Sequence, residues 1–367
     1  MSSADEDDAS NVDLDSDGDS EISYPEDEDA ALEIEQKTEV PESINFKVNI
    51  VDIAFHPKRN LIATGLIDSS ITLHSYGVGD VKNMELQTFD HHNKKPCRAV
   101  HFSASGEHLF TGAQDTTIGV VDLETNSVFR KFGREGGSPI YSILPIDNYL
   151  LASGEDEGEV ILWDFRMQAP IEVFQDCEDY VSSLIINKEK KLMLATSGDG
   201  RLSVYNVRAK KLEMQSEELD SDLLCAGIFK GGTKAVVGST DGALNIFNWG
   251  EFGNISDRFP GHPGSVDSMV VIADDVIVTG CEDGKIRAVQ LFPNRFLGSL
   301  GNHGGYSIER VRLSYDSAYI ASSSYDQKVK FWDLSGIEEL RNEDVKETKE
   351  KHKQLNKPVN DFFADLV

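Results

Sequence analysis

The feature that most constrains this chain is an acidic residue that returns at a nearly fixed interval. It falls at Asp68, Asp115, Glu157, Asp199, Asp241, Asp283 and Asp326, with separations of 47, 42, 42, 42, 42 and 43 residues. Six positions after each acid stands a bulky or branched side chain: His74, Val121, Trp163, Tyr205, Phe247, Val289 and Trp332. Three positions before each acid stands a small residue: Gly65, Gly112, Gly154, Thr196, Gly238, Gly280 and Ser323. A period of this size marks a repeat architecture, in which each unit buries its apolar face only by stacking on its neighbours.

The segments between these marks, such as 51–55, 118–121 and 329–332, alternate or run apolar over a few residues, which is a strand pattern. Helical periodicity is absent between residues 48 and 333. Four short antiparallel strands in about 40 to 45 residues form one propeller blade. The sequence therefore predicts an all-β, seven-bladed propeller over residues 32–335. An acidic arm, 1–31, precedes it, and a tail, 336–367, with a short helix inside 337–355, follows. Because the repeats open on an inner strand near 48–55, the outermost strand of the last blade must come from upstream. Either the region of Ile34 or residues 44–48 is expected to supply it. The first interval exceeds the others by five residues, which the loop 77–82 can absorb.

Charge narrows the function classes. The net charge is −29, and residues 1–42 carry 17 Asp or Glu against Lys37 alone. Such an arm repels itself and has little apolar surface to offset its ordering entropy, so it is expected to be disordered. A chain this acidic is not suited to grip duplex DNA directly, whereas a basic protein partner suits it. Cys97, Cys177, Cys225 and Cys281 are far apart and form no CxxC pair, so they read as small buried hydrophobes rather than as disulfides or zinc ligands. The first eight residues lack the basic start of a secretory leader, and no apolar run reaches the roughly 18 residues of a membrane span. A soluble intracellular protein is expected.

Trp163-Asp164, Trp332-Asp333, Gly261-His262 and the phased acids resemble the WD-repeat family. That resemblance implies that each turn acid is held by backbone N–H groups and by a preceding histidine, with the residue six positions on packed over the pair. In the seventh blade His303, Ser322, Asp326 and Trp332 are expected to supply the whole set. In the sixth His262 and Asp283 are expected to pair, beneath Val289 rather than a tryptophan. A His-Ser-Asp trio that recurs as part of a repeat reads as structural rather than catalytic. No paired carboxylates, metal ligands or phosphate loop stand outside the repeat, so neither enzyme activity nor a cofactor is expected. Asp13, Asp15, Asp17 and Gly18 begin like a calcium loop, but its twelfth position is Tyr24.

Closer likeness lies in 248–253, Asp257-Arg258-Phe259, Ile286-Arg287-Ala288-Val289, Pro293-Asn294-Arg295, Phe55-His56-Pro57, 97–100 and 361–366, which are similar to one subfamily of WD-repeat proteins. The similarity implies a protein of the nucleus and nucleolus, with the cytoplasm also open. There it would modulate ribosomal RNA synthesis and ribosome assembly by holding protein partners, as a monomer within larger assemblies.

Trp163-Asp164-Phe165-Arg166 is also similar to the WDxR box of propellers that dock on the damaged-DNA-binding adaptor of cullin-4 ubiquitin ligases. Trp163 and Asp164 belong to the blade pattern in any case, so Arg166 carries that alternative. Phe362, Phe363 and Leu366, beside acids, are expected either to pack back on the propeller or to enter a partner's groove. Ser3, Ser10 and Ser16 each precede an acid by three positions and would suit an acid-directed kinase. Lys94, Lys95 and Arg98, with Arg310 and Arg312, could form a positive spot on one face.

Overall fold

Each repeat folds into one four-stranded antiparallel sheet, and the computed structural model contains seven such sheets among the residues it describes, 32–337 and 340. In chain order they are blade 1 (50–89), blade 2 (97–133), blade 3 (140–174), blade 4 (181–215), blade 5 (223–259), blade 6 (266–302) and blade 7 (308–333), the last completed from upstream. The first strand of each sheet lies against the first strands of the sheets on either side, and strand Ile308–Leu313 meets strand Ile50–Phe55, so the ring is closed. The acidic arm, most of the tail and the serines within the arm lie outside the described residues.

Two upstream segments do different jobs. Ile44–Asn45 pairs antiparallel with strand Lys328–Asp333, Ile44 opposite Val329, and supplies the outer strand of blade 7. It is two residues long, and Phe46 extends it with one N–H bond of 2.9 Å to the Gln327 carbonyl. Residues 32–34 instead lie parallel to the outer strand of blade 6: Ile34 N–H donates to Ser299 O at 2.7 Å, and Ser299 N–H to Leu32 O at 2.6 Å. Between them Gln36 accepts from Asp333 N–H at 2.7 Å, and the Asp333 carboxylate accepts from Lys37 and Thr38 N–H at 3.2 Å. The strap thus ties two blades together before it closes the ring.

The cores lie between sheets. Leu73 and Phe89 of blade 1 pack on Val100 and Leu109 of blade 2, and the same facing recurs around the ring. Faces of this kind come from strands buried on both sides: in every blade the second strand is covered from its second residue to its last. All four cysteines are free and buried, and burial pushes the Cys281 thiol up to about 12, so it behaves as a hydrophobe. Most of the first interval's surplus sits between strands Ile71–Ser75 and Met84–Phe89, where loop 77–82 runs: Phe89 stands 21 residues after its acid, whereas Phe132 and Phe174 stand 17 after theirs.

Candidate partner-binding surfaces

The blade 7 histidine network is buried and fully hydrogen-bonded. In blade 7 His303 Nδ1 lies 2.8 Å from Asp326 Oδ2 and its Nε2 lies 2.7 Å from Ser322 Oγ, to which Trp332 Nε1 donates at 2.7 Å. His303 is 2% exposed, and burial lowers its pKa against the pull of Asp326. A neutral ring with both nitrogens engaged and no access to solvent is a clasp, not a general base.

Blade 6 departs from the expected pairing. His262 does not meet Asp283: its Nδ1 lies 3.1 Å from the Gly242 carbonyl of blade 5, and its Nε2 lies 3.1 Å from Thr279 Oγ1. Asp283 is held instead by Arg287, whose two terminal nitrogens donate at 3.0 and 2.6 Å. Val289 brings no ring to the histidine, and Phe296 of the fourth strand stands edge-on to His262 instead, with ring centroids 4.9 Å apart, while the Arg287 side chain is fully buried.

Blade 2 carries a network that the sequence reading passed over. His92 Nδ1 lies 3.0 Å from Asp115 and its Nε2 2.8 Å from Thr111, while the neighbouring His91 reaches the same Thr111 at 2.9 Å. Burial would raise the Asp115 pKa, but hydrogen bonds from His92, Lys131 and Thr117 hold it far below the usual carboxylate range. The signal was available. His92 precedes its acid by 23 residues, as His303 precedes Asp326, whereas His262 precedes Asp283 by only 21.

The surface with most binding character is the mouth of the central channel. In every blade the pairing of the first two strands is broken by a bulge at the start of the inner strand. The residues set out of register are Val51, Arg98, Tyr141, Ser182, Leu224, Asp267 and Glu309. A bulge re-aims its side chain. Five of these seven residues, Tyr141, Ser182, Leu224, Asp267 and Glu309, line a cavity of about 310 Å³ with Glu282, Arg310 and Tyr325. The inner strand begins where the second strand ends, so this mouth opens on the face that bears the phased turns.

Charge at the mouth is unbalanced. Asp267 accepts from Ser265 at 2.8 Å and Ser307 at 3.3 Å, yet burial pushes its pKa up to about 6. Burial also raises Glu309, although Arg310 pulls it down. Arg310 is directed elsewhere: its Nε lies 3.4 Å from Asp52, which Arg312 also contacts at 3.1 Å. Asp52 accepts in addition from Val100 N–H at 2.9 Å, so it links blades 1, 2 and 7. Arg310 and Arg312 therefore do not join Lys94 and Lys95 in a surface spot, because inner-strand residues face the channel. Arg98 lies 5.5 Å over the Tyr141 ring and pairs with Asp156 at 2.9 Å.

Arg166 lies on the opposite face, since it follows the third strand of blade 3. Its guanidinium bonds Asp164 through Nε at 2.9 Å and a terminal nitrogen at 2.6 Å, and lies 4.0 Å over the Tyr149 ring. Trp163 is buried and donates to Ser153 at 2.8 Å. The side chain of Arg166 is 58% exposed, and Phe129, Tyr149 and Met167 near it are exposed apolar groups. Phe362, Phe363 and Leu366 lie outside the described residues. Among the described residues no group of His, Cys, Asp and Glu has the spacing to hold a metal ion.

Seven radial sheets, three histidine-linked blades and a strap from upstream define a WD-repeat β-propeller. Within that class the WDR55 family matches residues 41–337, and the chain belongs to it. It is 36% identical to human WD repeat-containing protein 55 over 334 residues, covering 89% of this chain and 87% of that one. The orangutan (Pongo abelii) protein of the same name is 37% identical over the same lengths. A Drosophila persimilis homolog is 36% identical over 344 residues, which is 91% of this chain and 67% of the fly protein.

Proposed function

We propose that this protein is a non-catalytic scaffold that works in the nucleolus, modulating ribosomal RNA synthesis and ribosome assembly by holding basic proteins at its channel mouth. The observation that carries the binding mode is the pair of carboxylates, Asp267 and Glu309, kept in a tyrosine-lined cavity while Arg310 is directed to Asp52. A lysine or arginine side chain of a partner would supply the missing cation in a site whose walls exclude much of the water. The acidic arm would raise the encounter rate with such a partner. The protein acts as a monomer within larger assemblies and uses no cofactor.

Titration of a fluorescent lysine- and arginine-rich peptide tests the mouth. Asp267→Asn with Glu309→Gln is expected to weaken binding by tenfold or more, and unchanged affinity overturns the assignment. The sign with pH follows from linkage. A bound cation favours ionised Asp267, whose free pKa is about 6, so affinity rises from pH 5 to pH 7 and levels off above. Proximity labelling of the tagged protein should return ribosome-assembly factors; exclusion from nucleoli would sink the cellular role.

A second reading has its own observation. Arg166 stands exposed on the far face, fixed by Asp164 and Tyr149 and flanked by apolar side chains. A preorganised guanidinium of this kind can make bidentate contacts that lysine cannot reproduce. It supports docking on the adaptor of a cullin-4 ubiquitin ligase, with the propeller as substrate receptor. Arg166→Ala should abolish adaptor co-precipitation without moving the thermal midpoint; retained binding overturns it.

A further inference from the structure

The acids at the channel mouth are short of donors. Asp267, Glu282 and Glu309 line the cavity with Arg310, and Arg310 shares Asp52 with Arg312 in the wall below. Four carboxylates against two guanidinium groups leave a formal charge of −2. The hydrogen bonds that reach the mouth acids come from hydroxyls: Ser265 and Ser307 donate to Asp267, and Tyr325 to Glu309. Ser265 also lies 3.4 Å from Glu282, but its single proton goes to Asp267 at 2.8 Å. An ionised carboxylate has about four acceptor sites, so most of the acceptor capacity around this cavity is unspent.

The cavity also has depth and an open aromatic wall. Tyr141, Ser182, Leu224, Asp267 and Arg310 line a second chamber as well, of about 350 Å³, which continues between the inner strands. Tyr141 already carries the Arg98 guanidinium, whereas Tyr325 is 49% exposed and, among the described residues, no ring or cation lies over it. Burial is the main cause of the raised Asp267 pKa, and the Glu309 charge adds to it, so the two carboxylates are near neighbours.

Resting on the reading of this mouth as a seat for a basic partner, we infer that it selects unmethylated arginine over lysine. A lysine ammonium brings its donors crowded about one strongly hydrated atom. A guanidinium spreads more donors over a rigid plane, is more weakly hydrated and stacks on aromatic faces. Seated here, it serves Asp267 and Glu309 at once while its plane lies on Tyr325, and the second chamber gives the long side chain room. Dimethylation of the partner's arginine keeps the charge but removes donors from the fork, so it closes this site to the partner.

Anisotropy titrations of the full chain with three fluorescein-labelled peptides, alike except for one central residue, test the selection. The peptide with arginine is expected to bind about tenfold or more tightly than those with lysine or asymmetric dimethylarginine. Asp267→Asn with Glu309→Gln should erase that preference. Tyr325→Ala is expected to weaken the arginine peptide roughly threefold and the lysine peptide less, and Tyr325→Phe, which keeps the ring, should retain most of the affinity. If the arginine peptide binds no tighter than either of the others, while all are lost in the double variant, the selection is overturned and the basic-partner reading stands. If the double variant leaves binding unchanged, or no peptide binds, both fall.

Discussion

In blade 7 the turn acid Asp326 meets His303, on the loop arriving from blade 6, at 2.8 Å, and Lys330 of its own strand only at 3.8 Å; in blade 6 the equivalent Asp283 is held by Arg287, at the position of Lys330, at 2.6 Å. The frame is the same in both, and the small hydroxyl residue of the second strand meets the histidine in both, Ser322 with His303 and Thr279 with His262. What differs is the source of the ring beside the histidine. Trp332 of the third strand sits edge-on to His303 in blade 7, with ring centroids 6.1 Å apart, and Phe296 of the fourth strand sits edge-on to His262 in blade 6, at 4.9 Å. The Trp332 indole also reaches Gly301 of blade 6, where any Cβ would overlap the ring. Blade 7 is thereby coupled to its neighbour through both histidine and tryptophan. Blade 6 uses a buried ion pair instead, and its histidine is free to cap the turn of blade 5 through Gly242. A repeat can therefore lose its most recognisable side chain and keep its geometry, provided another residue fills the volume and the acid keeps a donor.

The comparison can be broken most severely at Arg287. Arg287→Leu leaves Asp283 half-buried beside an apolar chain, and removal of one partner from such a pair costs roughly 3–5 kcal/mol. It should give the largest loss of urea midpoint of the changes considered. Arg287→Leu with Asp283→Asn should recover much of that loss; no recovery would mean that the arginine acts by packing alone. Next in size is His303→Ala, which removes a hydrogen bond to a charged group and leaves Asp326 without its ring partner, a loss of about 2 kcal/mol. His262→Ala removes only neutral contacts, to a carbonyl and a hydroxyl, and should cost about 1 kcal/mol. If the two histidine variants unfold at the same urea concentration, the difference between the blades is illusory.

The smallest expected effect is on pH dependence. Burial lowers the pKa of His303, and lowers His262 to about 4, so folding favours the neutral rings. Their contribution is complete above the unfolded value of about 6.5 and is lost as pH falls below it. Glu155, raised by burial to about 7, and Asp267 work the other way, gaining stability as they protonate, so the wild-type slope alone is ambiguous. The difference between wild type and His303→Gln isolates one ring. The variant should lose less thermal midpoint between pH 6.5 and pH 5 than the wild type does, and identical slopes would show that His303 does not titrate with unfolding.

Much of the fold was legible because its determinants are local. The phase of acids, small residues and bulky residues fixes where each turn falls, and a period of two in between fixes the strands. The spacing of 23 that joins His92 to Asp115 was equally open to reading. Arg287 was not, because a cation in the middle of a strand reads as solvent-facing until the packed blade buries it against Asp283. The seven bulges were also invisible, since one residue out of register in a short strand hardly disturbs its alternation. With them went the make-up of the channel mouth.

The sequence by itself determined that this chain makes a closed set of equal sheets and where their turns fall, because those choices are made within some 40 residues of chain and repeat with it. Only the tertiary structure decided which side chains meet around the axis. Asp52 and Arg312 are 260 positions apart and touch at 3.1 Å because the ring closes. Contacts of that kind are set by the curvature summed over all the blades, and no single repeat carries that sum.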